Sequence, residues 1–264
     1  MQEPLVSVLM TSFNREKYIA QAIESVLASS YQNFELIIVD DCSKDNTVSI
    51  AEKFARKDTR VKVFINDKNL GDYPNRNKAA SYATGKYVKY LDSDDFMYQH
   101  CLKVMVKCME SFPEAGFGLS AMPDKNAFYP VCISPHDAYL EHFYGFGHFN
   151  RSPGSAIILR TVFNAIGGFT GKRMIGDNEM WFMLARKNHM VKMPRDLIWH
   201  RYHEGQESQS EYSKQYEILR RNVTNEALAN SECPLSSKEI TDIKFLLNKK
   251  GLKSLINKIY KAIK

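Results

Sequence analysis

Four short aliphatic runs, each followed by a helical pattern, fill the first 112 residues. The runs are Val6 to Met10, Glu35 to Val39, Val61 to Ile65 and Tyr87 to Leu91. After Thr11-Ser12-Phe13-Asn14, residues Ile19, Ala22, Ile23, Val26 and Leu27 recur along one helical face. The turn Ser43-Lys44-Asp45-Asn46 precedes a helix carrying Val48, Ala51, Phe54 and Ala55. An Ala-rich helix is predicted from about Asn75 to Ala83, stopped at Gly85, and another from about His100 to Phe112. Strand and helix alternating in this way predict an α/β fold, a mainly parallel sheet covered by helices on both faces. In such sheets ligands bind where strands end, and here those ends carry Thr11, Asp41 and the cluster Asp92-Ser93-Asp94-Asp95.

The second half is less regular. Gly154 to Leu159 reads as a strand, Val162 to Ile166 as a short helix closed by Gly167-Gly168, and Asp177 to Lys187 as a helix. Val191 to Trp199 reads as extended, and the chain reads as helical from about Glu211. The aromatic stretch from His142 to Phe149 could present rings to a sugar; clustered Phe and Tyr more often form core, and that reading is favoured. At 264 residues, 44% hydrophobic and 25% charged, the chain suits one large α/β domain with an appendage, which excludes a disordered or fibrous protein. Five scattered cysteines with no CxxC pair suggest reduced thiols in the cytoplasm. No secretory leader is expected, because strand-like sequence begins at Leu5, and no apolar run approaches the roughly 18 residues of a membrane span.

The net charge is +6, yet Lys244 to Lys264 holds seven lysines and no acid, which leaves the rest of the chain at −1. A near-neutral body argues against nucleic acid as a partner. In the tail, Ile243, Leu246 and Leu247, then Leu252, Leu255, Ile256, Ile259 and Ile263 recur at helical spacing, with Gly251 between two short helices. Two readings stay open: a hairpin packed on the domain, or an anchor lying on an anionic cytoplasmic leaflet.

Alternate carboxylates at a strand end, as in Asp92 and Asp94, are hard oxygen donors suited to Mg2+ or Mn2+ shared with substrate phosphates. A solvated loop would look the same. The order of the blocks is more specific than any one of them. Val6 to Arg15, Glu35 to Thr47, Asn69 to Gly71, Arg76-Asn77, Ala83 to Val88 and Asp92 to Asp95 together resemble the family 2 glycosyltransferases, of GT-A fold, over residues 4–205.

The resemblance implies sugar transfer from a nucleotide-sugar donor to a hydroxyl acceptor with inversion at the anomeric carbon. It implies a catalytic domain over 1–205, with a nucleotide-binding half (1–98) and an acceptor half (99–205), and a helical extension over 206–264. Carried over residue by residue, Thr11 and Asp41 line the base pocket, where the carboxylate accepts from a pyrimidine N–H. Phe13, standing where many relatives have Tyr, stacks on the base. Arg76 lies near base and diphosphate, Asp92 faces the ribose, Asp94 holds the metal, and Asp95 is left between a direct role and a helix cap. Ile175 to Trp181 resembles a second acidic motif in which Gly176 replaces the first acid and Asp177 is the catalytic base, with Glu179 as its rival. His203 matches an R-x-H element and is expected on the metal or diphosphate, with Arg201 beside it. The implied cofactor is Mn2+ or Mg2+, the donor a UDP-sugar before others, and the acceptor a saccharide or lipid-linked hydroxyl in bacterial-type surface polysaccharide or glycolipid synthesis. A nucleotidyltransferase would need a Gly-rich loop after the first strand, and Thr11 to Arg15 has no glycine. A non-catalytic nucleotide-sugar binder is disfavoured by the intact acids.

Overall fold

The computed structural model describes residues 3–120, 128–145, 147–204, 206 and 215–249. In chain order the elements are β1 (Val6–Ser12), α1 (Ile19–Leu27), β2 (Phe34–Asp40), α2 (Thr47–Ala55), β3 (Val61–Ile65), α3 (Asp72–Ser81), β4 (Tyr87–Tyr90), β5 (Phe96–Met97) and α4 (Cys101–Glu110). They continue with β6 (Ala115–Ser120), β7 (Val131–Ile133), α5 (Pro135–Tyr144), β8 (Ala156–Leu159), α6 (Arg160–Ala165), α7 (Gly176–Ala185), β9 (His189–Met193), β10 (Ile198–Trp199) and α8 (Tyr216–Ala229). A last helix, α9, runs over residues 237–249.

Eight strands form one sheet in the order β3-β2-β1-β4-β8-β6-β9-β7. The apolar runs become its centre because both faces of β1, β2 and β4 are covered. Successive side chains of a strand point to opposite faces, and the core divides accordingly. Leu9, Ile37 and Val39 face one core with Tyr139 of α5, Trp181 and Phe182 of α7 and Leu228 of α8. Val8, Met10, Leu36 and Ile38 face the other with Ile23 of α1, Ala51 of α2 and Leu102 and Met105 of α4. The first four strands pair in parallel as predicted. Beyond them the sheet is mixed: β8 runs antiparallel to β4 and β6, β6 pairs in parallel with β9, and β7 returns antiparallel.

Sequence periodicity missed β6, β7 and α5. Ala115-Gly116-Phe117-Gly118 breaks the aliphatic pattern with two glycines, and β7 is three residues long. The expected extended segment from Val191 to Trp199 is two strands. β9 stays in the main sheet, while β10 leaves it and pairs antiparallel with β5. That small ribbon matters because β5 follows the acidic cluster, so residues 200–203 are delivered beside Asp94 and Asp95.

Phe143 and Phe149 are buried, with His142 stacked on Phe149 at 4.7 Å between ring centroids, so the aromatic stretch is core. α9 buries Ile243 and packs Ile240 and Leu247 on the same core, as the hairpin reading requires. The second tail helix, expected from Leu252, lies outside the described residues. All five cysteines are free thiols. Among the described residues no helix is long and apolar enough to cross a membrane.

Candidate active site

A cleft of about 1000 Å3 opens at the carboxyl ends of β1, β2 and β4. Thr11, Phe13, Asp41, Arg76, Asp92, Asp94 and Asp177 all line it, although their numbers span 167 positions. Its volume is at the upper end for small-molecule sites. His203 does not line it. It borders a neighbouring hollow of about 520 Å3 with Arg15 and Tyr18, and its ring meets the cleft at Asp94.

Where β2 ends, the buried Asp40 fixes the turn by accepting from Ser12 Oγ (2.9 Å) and from Ser43 N–H (2.7 Å) and Oγ (2.6 Å). Asp41 is also buried and gathers the loop over 66–71. Its Oδ1 accepts from Asn66 Nδ2 and Leu70 N–H (both 2.8 Å), its Oδ2 from Gly71 N–H (2.9 Å). Gly71 has φ +84°, a left-handed conformation that glycine reaches without steric cost. Three donors leave the Asp41 carboxylate, which lines the cleft, with one open lone pair on Oδ2. Phe13, 43% exposed, offers a ring there.

Arg76, on α3, is 7% exposed and bridges two carboxylates, donating from Nε to Asp72 (2.7 Å) and from Nη2 to Asp92 (2.7 Å). Its Nη1 is buried with no hydrogen-bond partner. An orphaned guanidinium nitrogen is costly unless a ligand uses it. Burial would raise the Asp92 carboxyl, but the neighbouring guanidinium outweighs it and holds Asp92 below the usual carboxylate range. Beneath them Lys89 of β4 is wholly buried, donating to the carbonyls of Tyr90 (2.7 Å) and Gly154, with its charge facing Asp92 and Asp95.

Asp94 Oδ2 meets Arg15 Nε and His203 Nε2, each at 3.0 Å. Asp95 is buried and accepts from the Arg201 N–H (3.0 Å) while pairing with His200 Nδ1 (2.8 Å). It caps no helix, because α4 begins only at Cys101. Arg201 turns outward from the cleft, its Nε on the Asp94 carbonyl (2.8 Å) and its guanidinium over the rings of Trp199 and Tyr18.

On the opposite wall Asp177 is the second residue of α7, and its Oδ1 accepts the Asn178 N–H (2.7 Å). The protein packed around it pushes its carboxyl up to about 7. Glu179 points elsewhere: it is tied to Thr170 Oγ1 and to Lys172 Nζ (2.8 Å), and does not line the cleft. Tyr73 of α3 and Tyr216 of α8 flank Asp177, and Gln206 and Tyr216 bring the C-terminal part of the chain into the cleft wall. Sequence reasoning assigned no role to Tyr73, Lys89, His200 or Tyr216. None stands in a motif, and only β4, α3 and α8 converging on the cleft gives them a place.

The family model described as Glycosyl transferase family 2 matches residues 7–167, more than half of the chain. The chain belongs to glycosyltransferase family 2. It is 41% identical over 109 residues to an uncharacterized glycosyltransferase of Haemophilus influenzae (41% of this chain, 44% of the relative). To the putative teichuronic acid biosynthesis glycosyltransferase TuaG of Bacillus subtilis it is 37% identical over 144 residues (52% and 57%). To the UDP-Glc:alpha-D-GlcNAc-diphosphoundecaprenol beta-1,3-glucosyltransferase WfgD of Escherichia coli it is 38% identical over 109 residues (41% and 42%). The chain thus spans about half the length of the curated relatives it matches. Among solved structures, S. aureus TarS 1–349 in complex with UDP-GlcNAc superposes with TM-score 0.71 at 22% identity, covering 90% of this chain and 70% of that 1–349 chain. The mannosyltransferase PcManGT of Pyrobaculum calidifontis, in complex with GDP-Man and Mn2+, gives TM-score 0.62 at 16% identity (97% and 81%). At these identities the two structures establish the GT-A fold.

A family 2 enzyme invites the question whether this cleft fits a divalent cation. Two cis ligands held at about 2.1 Å in an octahedral shell lie about 3 Å apart. Asp94 Oδ2 and His203 Nε2 are 3.0 Å apart, so both could bind one ion once Arg15 yields the oxygen they share. Among the described residues no group of three or more His, Cys, Asp or Glu is gathered for a metal. One carboxylate oxygen and one imidazole nitrogen would leave most of an ion's shell to phosphate and water, and the nitrogen suits Mn2+ better than the oxygen-seeking Mg2+.

Proposed function

We propose that this chain is an inverting, metal-assisted glycosyltransferase that moves a sugar from a nucleoside diphosphate donor to a hydroxyl acceptor. One observation carries the reading: an Arg76–Asp92–Asp94 wall suited to a diphosphate shares its cleft with an aspartate whose carboxyl sits at about 7. A general base works best with a pKa near the operating pH. Asp177 Oδ2 has no partner among the described residues and takes the acceptor proton. The acceptor oxygen then bonds to the anomeric carbon as the bond from that carbon to the diphosphate oxygen breaks, which inverts the centre in one displacement. Arg76, whose guanidinium stands beside Asp92 in the cleft wall, balances charge on the departing diphosphate. When bound by Asp94 and His203, Mg2+ or Mn2+ would supply Lewis-acid stabilisation of the same leaving group.

Thr11, Phe13 and Asp41 hold the base and Asp92 the ribose. The open lone pair of Asp41 suits a pyrimidine N–H and favours a UDP-sugar, in keeping with the UDP-GlcNAc bound to TarS and the UDP-Glc in the name of WfgD. Relatives named for teichuronic acid and a diphosphoundecaprenol acceptor support surface polysaccharide or glycolipid synthesis, on a saccharide or lipid-linked acceptor. We divide the chain functionally into a nucleotide half (1–98), an acceptor half (99–205) and an extension (206–264), acting in the cytoplasm with the basic tail at the inner membrane face. Thermal denaturation with UDP, GDP, CDP or dTDP, each with and without Mn2+, tests the donor assignment. UDP should raise the melting temperature most, and more with Mn2+. No shift with any of the four would refute it.

A further inference from the structure

α3 carries two residues that reach opposite walls of the cleft. Arg76 turns to Asp92, while Tyr73, one turn earlier, turns to the start of α7. That start lacks an ordinary cap. The N-cap residue Ile175 offers no side-chain acceptor, so the first N–H groups of α7 need partners from elsewhere. Tyr73 supplies one: its hydroxyl oxygen accepts the Asp177 N–H at 3.2 Å. The ring is 5% exposed and packs on Phe169 at 4.9 Å between centroids. Phe169 is itself clamped by Asn77 of α3, through Asn77 Nδ2 to its carbonyl (2.8 Å) and its N–H to Asn77 Oδ1 (2.9 Å).

The ring lies so close to α7 that a Cβ added at Gly176 would fall 2.8 Å from Tyr73 Cε2 and Cζ. The missing acid at position 176 and the tyrosine at position 73 are therefore two halves of one arrangement. We propose that Tyr73 is the positioning residue for the base, capping Asp177 from α3 in space that only a glycine at 176 leaves open. Its hydroxyl oxygen spends one lone pair on the Asp177 N–H, and among the described residues no acceptor takes its hydrogen. Burial raises the phenol well above its usual range, so the hydroxyl keeps that hydrogen at all working pH values. A saccharide hydroxyl delivered to Asp177 can accept it. Because Arg76 and Tyr73 ride on one helix, the spacing between diphosphate wall and base is set by α3.

The inference rests on the glycosyltransferase reading, and Tyr73→Phe separates the two. UDP affinity, measured by calorimetry, should stay within about twofold of the parent, while UDP release from UDP-glucose or UDP-N-acetylglucosamine at saturating donor should slow about ten- to a hundredfold, the scale of a misplaced catalytic group. Exchange of the Asp177 amide hydrogen should quicken at least tenfold over the parent, with little change in melting temperature. Unchanged exchange, or turnover falling only as far as UDP affinity falls, overturns the proposal. A parent that binds no nucleoside diphosphate fails the functional reading instead, and the exchange measurement still decides whether Tyr73 caps the base. Gly176→Ala provides the second arm. It should lower the melting temperature by roughly 5 °C in the parent and hardly at all in Tyr73→Ala, where the clash is gone. Equal losses in both backgrounds would dissolve the pairing.

Discussion

The carboxylates at the ends of β2 and β4 sit among donors, whereas Asp177 across the cleft sits among phenols. Asp41 receives three hydrogen bonds, Asp92 an arginine, and Asp94 an arginine and a histidine. Asp177 receives one N–H from its own helix, with Tyr73 and Tyr216 as neighbours. Asp92 and Asp177 are both half-buried in the cleft wall, so partner chemistry separates them. Guanidinium keeps Asp92 ionised, while burial without a bonded cation lifts Asp177 to about 7. One wall holds its carboxylate ionised, while the other leaves a carboxyl that gains or loses its proton near neutral pH.

The sharpest way to break this contrast is to remove the proton acceptor. Asp177→Asn should slow transfer by roughly 10²–10⁴-fold, the scale of general base catalysis, and leave UDP affinity unchanged. Glu179→Gln, which alters an ion pair outside the cleft, should cost far less. If the Glu179 variant is the inactive one, the two walls have been assigned wrongly. On the other wall, Asp94→Asn should abolish the gain in UDP affinity that Mn2+ confers while leaving metal-free UDP binding near the parent value. Undiminished Mn2+ dependence in calorimetry would remove Asp94 from the metal.

The pH dependence sharpens the same difference. If Asp177 is the base we propose, the rate at low substrate should climb about tenfold per pH unit below 7 and flatten above it. A profile flat from pH 5 to 8 would exclude a base titrating there. Stability should move the opposite way. Asp177 holds its proton more tightly folded (about 7) than unfolded (about 3.9), so its contribution weakens as pH rises between those values. Asp177→Asn escapes that loss and should melt several degrees above the parent at pH 8, with the gap closing toward pH 4.

The smallest effect concerns the tail. A chain ending after Lys249 loses five of the seven lysines and should sediment less with anionic liposomes at low salt, while binding UDP as before. Equal sedimentation would leave the lysines merely solvated.

Local sequence determined the parallel half of the sheet and the acids at its strand ends. Runs such as Leu36-Ile37-Ile38-Val39 can be satisfied only in a strand covered on both faces, and whatever follows such a strand emerges at its rim. It also separated a near-neutral body from a cationic tail, since formal charge is a property of composition. Tertiary structure decided the rest. Gly116 and Gly118 hide β6, and nothing in the local pattern shows that β10 would leave the main sheet to bring His203 onto Asp94. Neither Asp177 nor Glu179 stands out by type, since both are acids in the first turn of α7, until α3 closes over the first and Lys172 pairs with the second. A proton affinity is set by the groups within a few ångströms, and for Asp177 these come from positions 72 to 216, so no window of sequence contains them.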